Sequence, residues 1–313
     1  MKLNRISMNI RALLLGASAG AFAFVAPVQA QDVAPAAAET QEAAAAIATP
    51  ALWKVADEDT TIYLFGTVHA LPDGIEWYHG PLAKALGSSE ILVTEIEMNP
   101  EAMAATQQLV LAKGVLPEGQ TLRDLLTEEQ RAAYEAALAK VDLPAGAFDR
   151  FEPWYGAMMM TMLPLLKQGY SLDAGVEKVL ETKAGDGMER GALETVDEQL
   201  SIFDNLPQDA QIAFLMETVE GVDEIKAMLD AMVAEWAEGD ATELARLMNE
   251  GMTDPILAER LLYARNANWA KWIDERLDAP GAVFIAVGAG HLAGEQSVQD
   301  KLAELGIEAA RVQ

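Results

Sequence analysis

Ile62-Tyr63-Leu64-Phe65-Gly66-Thr67-Val68-His69 and, much later, Val283-Phe284-Ile285-Ala286-Val287-Gly288-Ala289-Gly290-His291 are built the same way. Each opens as an apolar, β-branched and aromatic run, the composition of a buried strand. Each run ends at a glycine, which permits a sharp bend or a close approach, and a histidine follows three positions on. Together they hold two of the three histidines in the chain. Open α/β sheets bind ligands in the crevice outside the carboxyl ends of their strands. Two strands of one sheet would therefore deliver His69 and His291 to one crevice.

Outward from these segments, Leu52-Trp53-Lys54-Val55 and Thr61 to Phe65 flank Asp57-Glu58-Asp59, which predicts a β-hairpin. A short helix is expected near Pro81 to Leu86, then a buried strand from Ile91 to Glu97. The middle of the chain reads as helical. Thr127-Glu128-Glu129-Gln130 and Thr195-Val196-Asp197-Glu198 are capping-box patterns, the first opening a helix to about Lys140. Pro153 to Gln168 carries four methionines and Trp154, a stripe best explained by core packing. Further helices are expected over Ser171 to Lys183, Gln208 to about Gly239 and Thr242 to Gly251. Others should run from Asp254-Pro255 to about Leu277 and from Gly294 to Leu305, with a last strand near Glu308 to Val312. Strands at both ends with helices between them predict an α/β (α+β) fold. Its central mixed sheet would come from both ends of the chain, and a large helical insertion would cover the crevice.

Residues 1–30 read as a secretory signal peptide. Lys2, Arg5 and Arg11 precede the apolar Ala12 to Val25, and Pro27-Val28-Gln29-Ala30 offers a small-residue cleavage site. The apolar stretch falls short of the ~20 residues that span a bilayer. Residues 31–50 form an alanine-rich flexible linker, and 51–313 the folded domain. A periplasmic or secreted location is expected, with no membrane association after cleavage. Loss of the three leader cations takes the formal charge from −27 to −30, a balance that disfavours nucleic acid and anionic lipid. The chain has no cysteine, which removes disulfides, thiolate ligands and a cysteine nucleophile. Beyond the leader it also lacks a G-x-S-x-G elbow, a P-loop, a G-x-G-x-x-G and an H-E-x-x-H.

Zinc and manganese sites commonly mix imidazole with carboxylate and keep one position for water when catalytic. With His69 and His291 as two ligands, the third should be an acid from the same sheet. Glu95 ends an apolar strand where a carboxylate is costly unless paired, and Glu97 shares its face if the strand persists. Glu194 ends another short apolar segment, suited to bind metal, act as base or support the cap after it. Arg265 is suited to hold a substrate carboxylate or a developing oxyanion, although a surface salt bridge is an equal reading. His79 lies in a polar-aromatic loop and reads as structural.

Several segments together resemble the TraB/GumN family. They are Gly66-Thr67-Val68-His69, Glu95 after its strand, Leu193-Glu194-Thr195 with Glu198-Gln199-Leu200, Arg265-Asn266 with Asn268-Trp269, and Val287-Gly288-Ala289-Gly290-His291-Leu292 followed by Gly294. The resemblance runs from about Leu52 to Val312. It implies a relationship to the Tiki metalloproteases, in which two G-x-x-H motifs and an acid form a divalent-metal site that cleaves peptides. Carried over, His69, Glu95 and His291 would be that metal site.

The expectation is an exported hydrolase, a peptidase acting on a peptide or protein substrate with zinc, manganese or cobalt. Glu95, Glu194 and Arg265 are its catalytic candidates. The rival readings are a haem- or metal-binding module and a catalytically inactive accessory protein of the envelope or of polysaccharide export. Oligomeric state is not legible in the sequence.

Overall fold

A computed structural model describes residues 46–313 except 98 and 250–254. The leader, most of the linker and Asp254 lie outside the described residues. The chain opens with β1 (Ala46–Ile47), β2 (Leu52–Ala56) and β3 (Thr60–Thr67). The last two form the hairpin expected from sequence, pairing antiparallel from Leu52↔Phe65 to Ala56↔Thr61. Asp57 closes its turn, with Oδ1 accepting from the amides of Asp59 and Thr60. Two short strands follow, β4 (Leu71–Pro72) and β5 (Ile75–Glu76), then helix α1 (Gly80–Gly87) and β6 (Ile91–Thr94).

The insertion comprises α2 (Pro100–Lys113), α3 (Glu128–Lys140), α4 (Pro153–Lys167), β7 (Tyr170–Ser171), α5 (Val176–Ala184), β8 (Glu189–Ala192), α6 (Val196–Asp204), α7 (Gln208–Gly221), α8 (Ile225–Glu238) and α9 (Ala241–Asn249). Both capping boxes form, at Thr127 with Gln130 and at Thr195 with Glu198. The methionine stripe of α4 is buried, with Met158, Met159, Met160 and Met162 all in the core. Four local expectations need correction. The helix read from Ser171 begins five residues later, because Tyr170–Ser171 pairs with β4 instead. The single helix read from Gln208 is divided into α7 and α8 around Val222 to Glu224. The helix read from Gly294 begins only after Ser297, which caps it. Helix α2 went unread in the sequence, since its apolar residues fall on no single face.

The chain then returns to the sheet through α10 (Pro255–Ala258), a π-helical turn (Glu259–Tyr263), α11 (Ala264–Leu277), β9 (Gly281–Gly288), α12 (Val298–Glu304) and β10 (Ala310–Arg311). The six-stranded mixed sheet has the order β10-β2-β3-β9-β6-β8. Its last four strands, β3, β9, β6 and β8, are mutually parallel. Strand β9 comes from the end of the chain and inserts between two earlier strands, so both ends build the sheet.

Alternating side chains sort the core onto two faces, as a pleated strand requires. Leu52, Phe65, Leu92 and Phe284 pack into the helical insertion. Val55, Ile62, Leu64, Val93, Val283 and Ile285 pack with Trp269 and Ile273 of α11 and Leu302 of α12. Both faces being covered explains why the strands read as continuous apolar runs. Among the described residues no helix is long and apolar enough to cross a membrane.

Candidate functional site at the carboxyl edge of the sheet

The four parallel strands each run into one of the residues singled out from sequence. β3 leads to His69, β9 to His291, β6 to Glu95 and β8 to Glu194. The register keeps these ends level, with Thr67 opposite Gly288 and Thr94 opposite both Ala286 and Ala192. Strand β6 stops at Thr94, yet its pairing with the β8 side persists: the amides of Leu193 and Glu194 donate to the carbonyls of Thr94 and Glu95 at 3.0 and 2.8 Å. Glu95 is consequently buried, whereas Glu97 is exposed and accepts a hydrogen bond from Asn99. Glu97 therefore stands apart from the site.

Helix α11 brings Arg265 across these carboxylates. Its Nη2 donates to Glu95 Oε2 at 2.6 Å and to Glu194 Oε2 at 2.9 Å, and its Nε donates to Glu194 Oε1 at 2.7 Å. Its Nη1 donates to the carbonyl of Leu261 and to His291 Nε2, both at 3.0 Å. Leu261 belongs to the π-helical turn, so the widened backbone just before α11 supplies an acceptor for the guanidinium. Such turns recur at functional sites. Burial would lower the arginine's pKa, but the adjacent Glu95 and Glu194 charges outweigh it and raise the value, so the group stays ionised.

Other side chains hold this arrangement in place. Gln199 on α6 donates its Nε2 to both carboxylates, at 3.0 Å to Glu95 and 2.8 Å to Glu194. The Trp269 indole donates to Glu194 Oε1 at 3.0 Å, and the Gly288 amide to Glu95 Oε1 at 2.7 Å. His291 Nδ1 lies 2.6 Å from Asn266 Oδ1, while the Asn266 amide nitrogen is committed to the carbonyl of Gln296. A guanidinium only donates, so His291 takes the tautomer with its proton on Nδ1 and its lone pair on Nε2. Its ring packs on Trp269 with centroids 4.3 Å apart.

His69 has a separate support. Its Nδ1 lies 2.6 Å from Glu177 Oε1, which also accepts from Thr67 Oγ1 at 2.6 Å. Burial raises the Glu177 pKa, but the His69 charge and these hydrogen bonds reverse the effect and hold it below the usual carboxylate range. Helix α5 can bring Glu177 this close because residue 175 is glycine. A Cβ there would stand 2.2 Å from the His69 carbonyl oxygen. Gly66 serves a similar end, since a Cβ would meet Ala289, within the second Gly-x-x-His motif, at 3.0 Å.

Sequence reasoning missed Glu177. It looked like an ordinary acid in a helix's first turn, and its partner lies more than a hundred residues earlier. Asn266, Gln199 and Trp269 were noticed only as members of short motifs, without roles. His79, read as structural, bonds the Ala48 carbonyl through Nε2 at 2.9 Å.

A family model described as TraB/PrgY/gumN matches residues 51–311. The chain belongs to the TraB/PrgY/gumN family. Comparison with curated proteins and with solved structures gives no match.

The donor set suits a divalent metal in kind, because both histidines are anchored through Nδ1 and offer Nε2. Metal-ligating imidazoles characteristically have such support. The arrangement is nevertheless one in which Arg265 supplies the positive charge beside Glu95 and His291. Among the described residues, no three His, Cys, Asp or Glu side chains converge as a metal centre.

Proposed function

We propose that this family member is an exported, divalent-metal-dependent hydrolase that cleaves peptide bonds, with His69, His291 and Glu95 holding zinc, manganese or cobalt. The observation that carries the reading is the matched support of two imidazoles at the ends of adjacent parallel strands. Glu177 holds Nδ1 of His69 and Asn266 holds Nδ1 of His291, so each ring is oriented with Nε2 as its working atom. A divalent ion held there would lower the pKa of water toward ~7 and polarise a carbonyl.

The chain's own residues have distinct tasks in this scheme. Glu95 is fixed by the Gly288 amide and Gln199 as a ligand or as the base toward water. Making room for a cation requires Arg265 to release His291 Nε2 and Glu95 Oε2. Glu194 retains the guanidinium through Nε, and Trp269 and Gln199 steady Glu194. The N–H groups so released would be donors for a developing oxyanion. Glu194 is thus assigned to hold Arg265 in preference to acting as base.

One observation favours a second reading. Arg265 already balances much of the charge of Glu95 and Glu194, and such a structural ion-pair role suits an inactive envelope accessory protein. Incubating the mature protein with a diverse peptide library, with and without chelator, separates the two. Cleavage that needs metal and is lost in both His69→Ala and His291→Ala supports the hydrolase. A metal-loaded sample that cleaves nothing supports the accessory role.

A further inference from the structure

Beside His69 lies a cleft of about 300 Å³, between the loop carrying β4 and β5 and helix α5. That volume is at the lower end of the ~300–1,000 Å³ typical of ligand pockets. Leu71, Ile75 and Val179 give it an apolar wall. Asp73 and Glu76 also line it, with a single lysine, Lys183. The Lys183 ammonium lies over the Tyr78 ring, 5.2 Å from its centroid. The cleft's aromatic face therefore already receives an ammonium from within the chain.

Two features tie the cleft to the candidate site. Leu71 follows His69 by two residues, and α5 carries Val179 and Lys183 on the same helix as Glu177. The Val176 amide donates to the Val68 carbonyl at 3.0 Å, locking the start of α5 to the β3 end. The opposite wall is held from outside, where β1 pairs with β5 and the Ala48 amide donates to the Glu76 carbonyl at 2.9 Å. A ligand in the cleft would thus lie at a fixed place relative to His69.

We infer that this cleft binds an extended peptide segment carrying a lysine or arginine next to apolar residues. The apolar residues pack on Leu71, Ile75 and Val179, while the cation takes the place of Lys183 over Tyr78, in the cleft that Asp73 and Glu76 also line. The chain's formal charge of −27 adds long-range attraction for such a ligand. The inference rests on the peptidase reading for its biological meaning, but the binding is separable from cleavage.

The test is fluorescence anisotropy in chelator with a labelled short peptide of alternating leucine and lysine, alongside its leucine–glutamate counterpart. The lysine peptide should bind and the glutamate peptide should not. Asp73→Asn with Glu76→Gln should weaken binding roughly 3- to 10-fold, as loss of two partly exposed charge contacts implies. Glu128→Gln with Glu129→Gln, the same charge change on the exposed start of α3, should have little effect. Lys183→Met should tighten binding. The inference is overturned if the wild-type protein does not bind the lysine peptide or binds both peptides alike. It also fails if the two double variants weaken binding equally, or if Lys183→Met weakens it. Lysine-peptide binding by a wild-type protein that cleaves no peptide when loaded with metal would sink the peptidase reading and leave the cleft standing.

Discussion

The Glu194 amide donates to the Glu95 carbonyl at 2.8 Å, which sets two acidic side chains abreast at the ends of adjacent strands. A buried carboxylate and a partly buried one so close together need a shared cation, and Arg265 meets both. The arrangement couples the end of the sheet to α11 and makes the arginine as much a part of the fold as of the site.

Arg265→Met should cost about 3–5 kcal/mol of stability, the usual loss when one partner of a buried ion pair is removed. Thermal or urea denaturation at neutral pH checks this. Arg265→Lys should recover only part of the loss, because an ammonium lacks the planar fork that spans both carboxylates. A near-wild-type stability for Arg265→Met would mean that water has access to the acids.

Gly175→Ala should destabilise by about 1–3 kcal/mol, as overpacking does, because the new methyl would collide with the His69 carbonyl. The measurement is the urea midpoint with an unchanged slope. Ala substitution at the exposed Gly87, where nothing lies within 4 Å, is the control and should be close to neutral.

Glu177→Ala should weaken zinc binding about 10–100-fold, the range for losing an outer partner of a ligating histidine. Glu177→Gln keeps an oxygen acceptor for Nδ1 and should lose less. Isothermal titration reads both, and far-UV circular dichroism should not change. Equal affinity in all three proteins would remove Glu177 from the site.

Most of the framework was legible because its signals are local. The hairpin is announced by Asp57, the two capping boxes by their spacing, and the parallel strands by their unbroken apolar runs. His69, Glu95, Glu194 and His291 could be singled out because a polar side chain directly after a buried strand must find a use at the sheet edge. What stayed hidden depends on contacts between distant segments. Nothing near Glu177 reveals that α5 packs on the end of β3, and nothing near Arg265 reveals that it spans two carboxylates from other strands. The early end of β6 was equally hidden, since Glu95 keeps its hydrogen-bonded place beside Glu194 after regular pairing stops.

The leader reading predicts that exported protein begins at Gln31 or close to it. Mass spectrometry of protein recovered from outside the cytoplasm checks this, and an intact Met1 there would contradict it.

The central claim is that His69, Glu95 and His291 hold a divalent metal, and elemental analysis of gently purified protein tests it most directly. The account predicts about one zinc, manganese or cobalt ion per chain, lost in His69→Ala and in His291→Ala with the circular dichroism unchanged. Metal-free wild-type protein that takes up none of the three ions on titration, or undiminished metal in both variants, would contradict it.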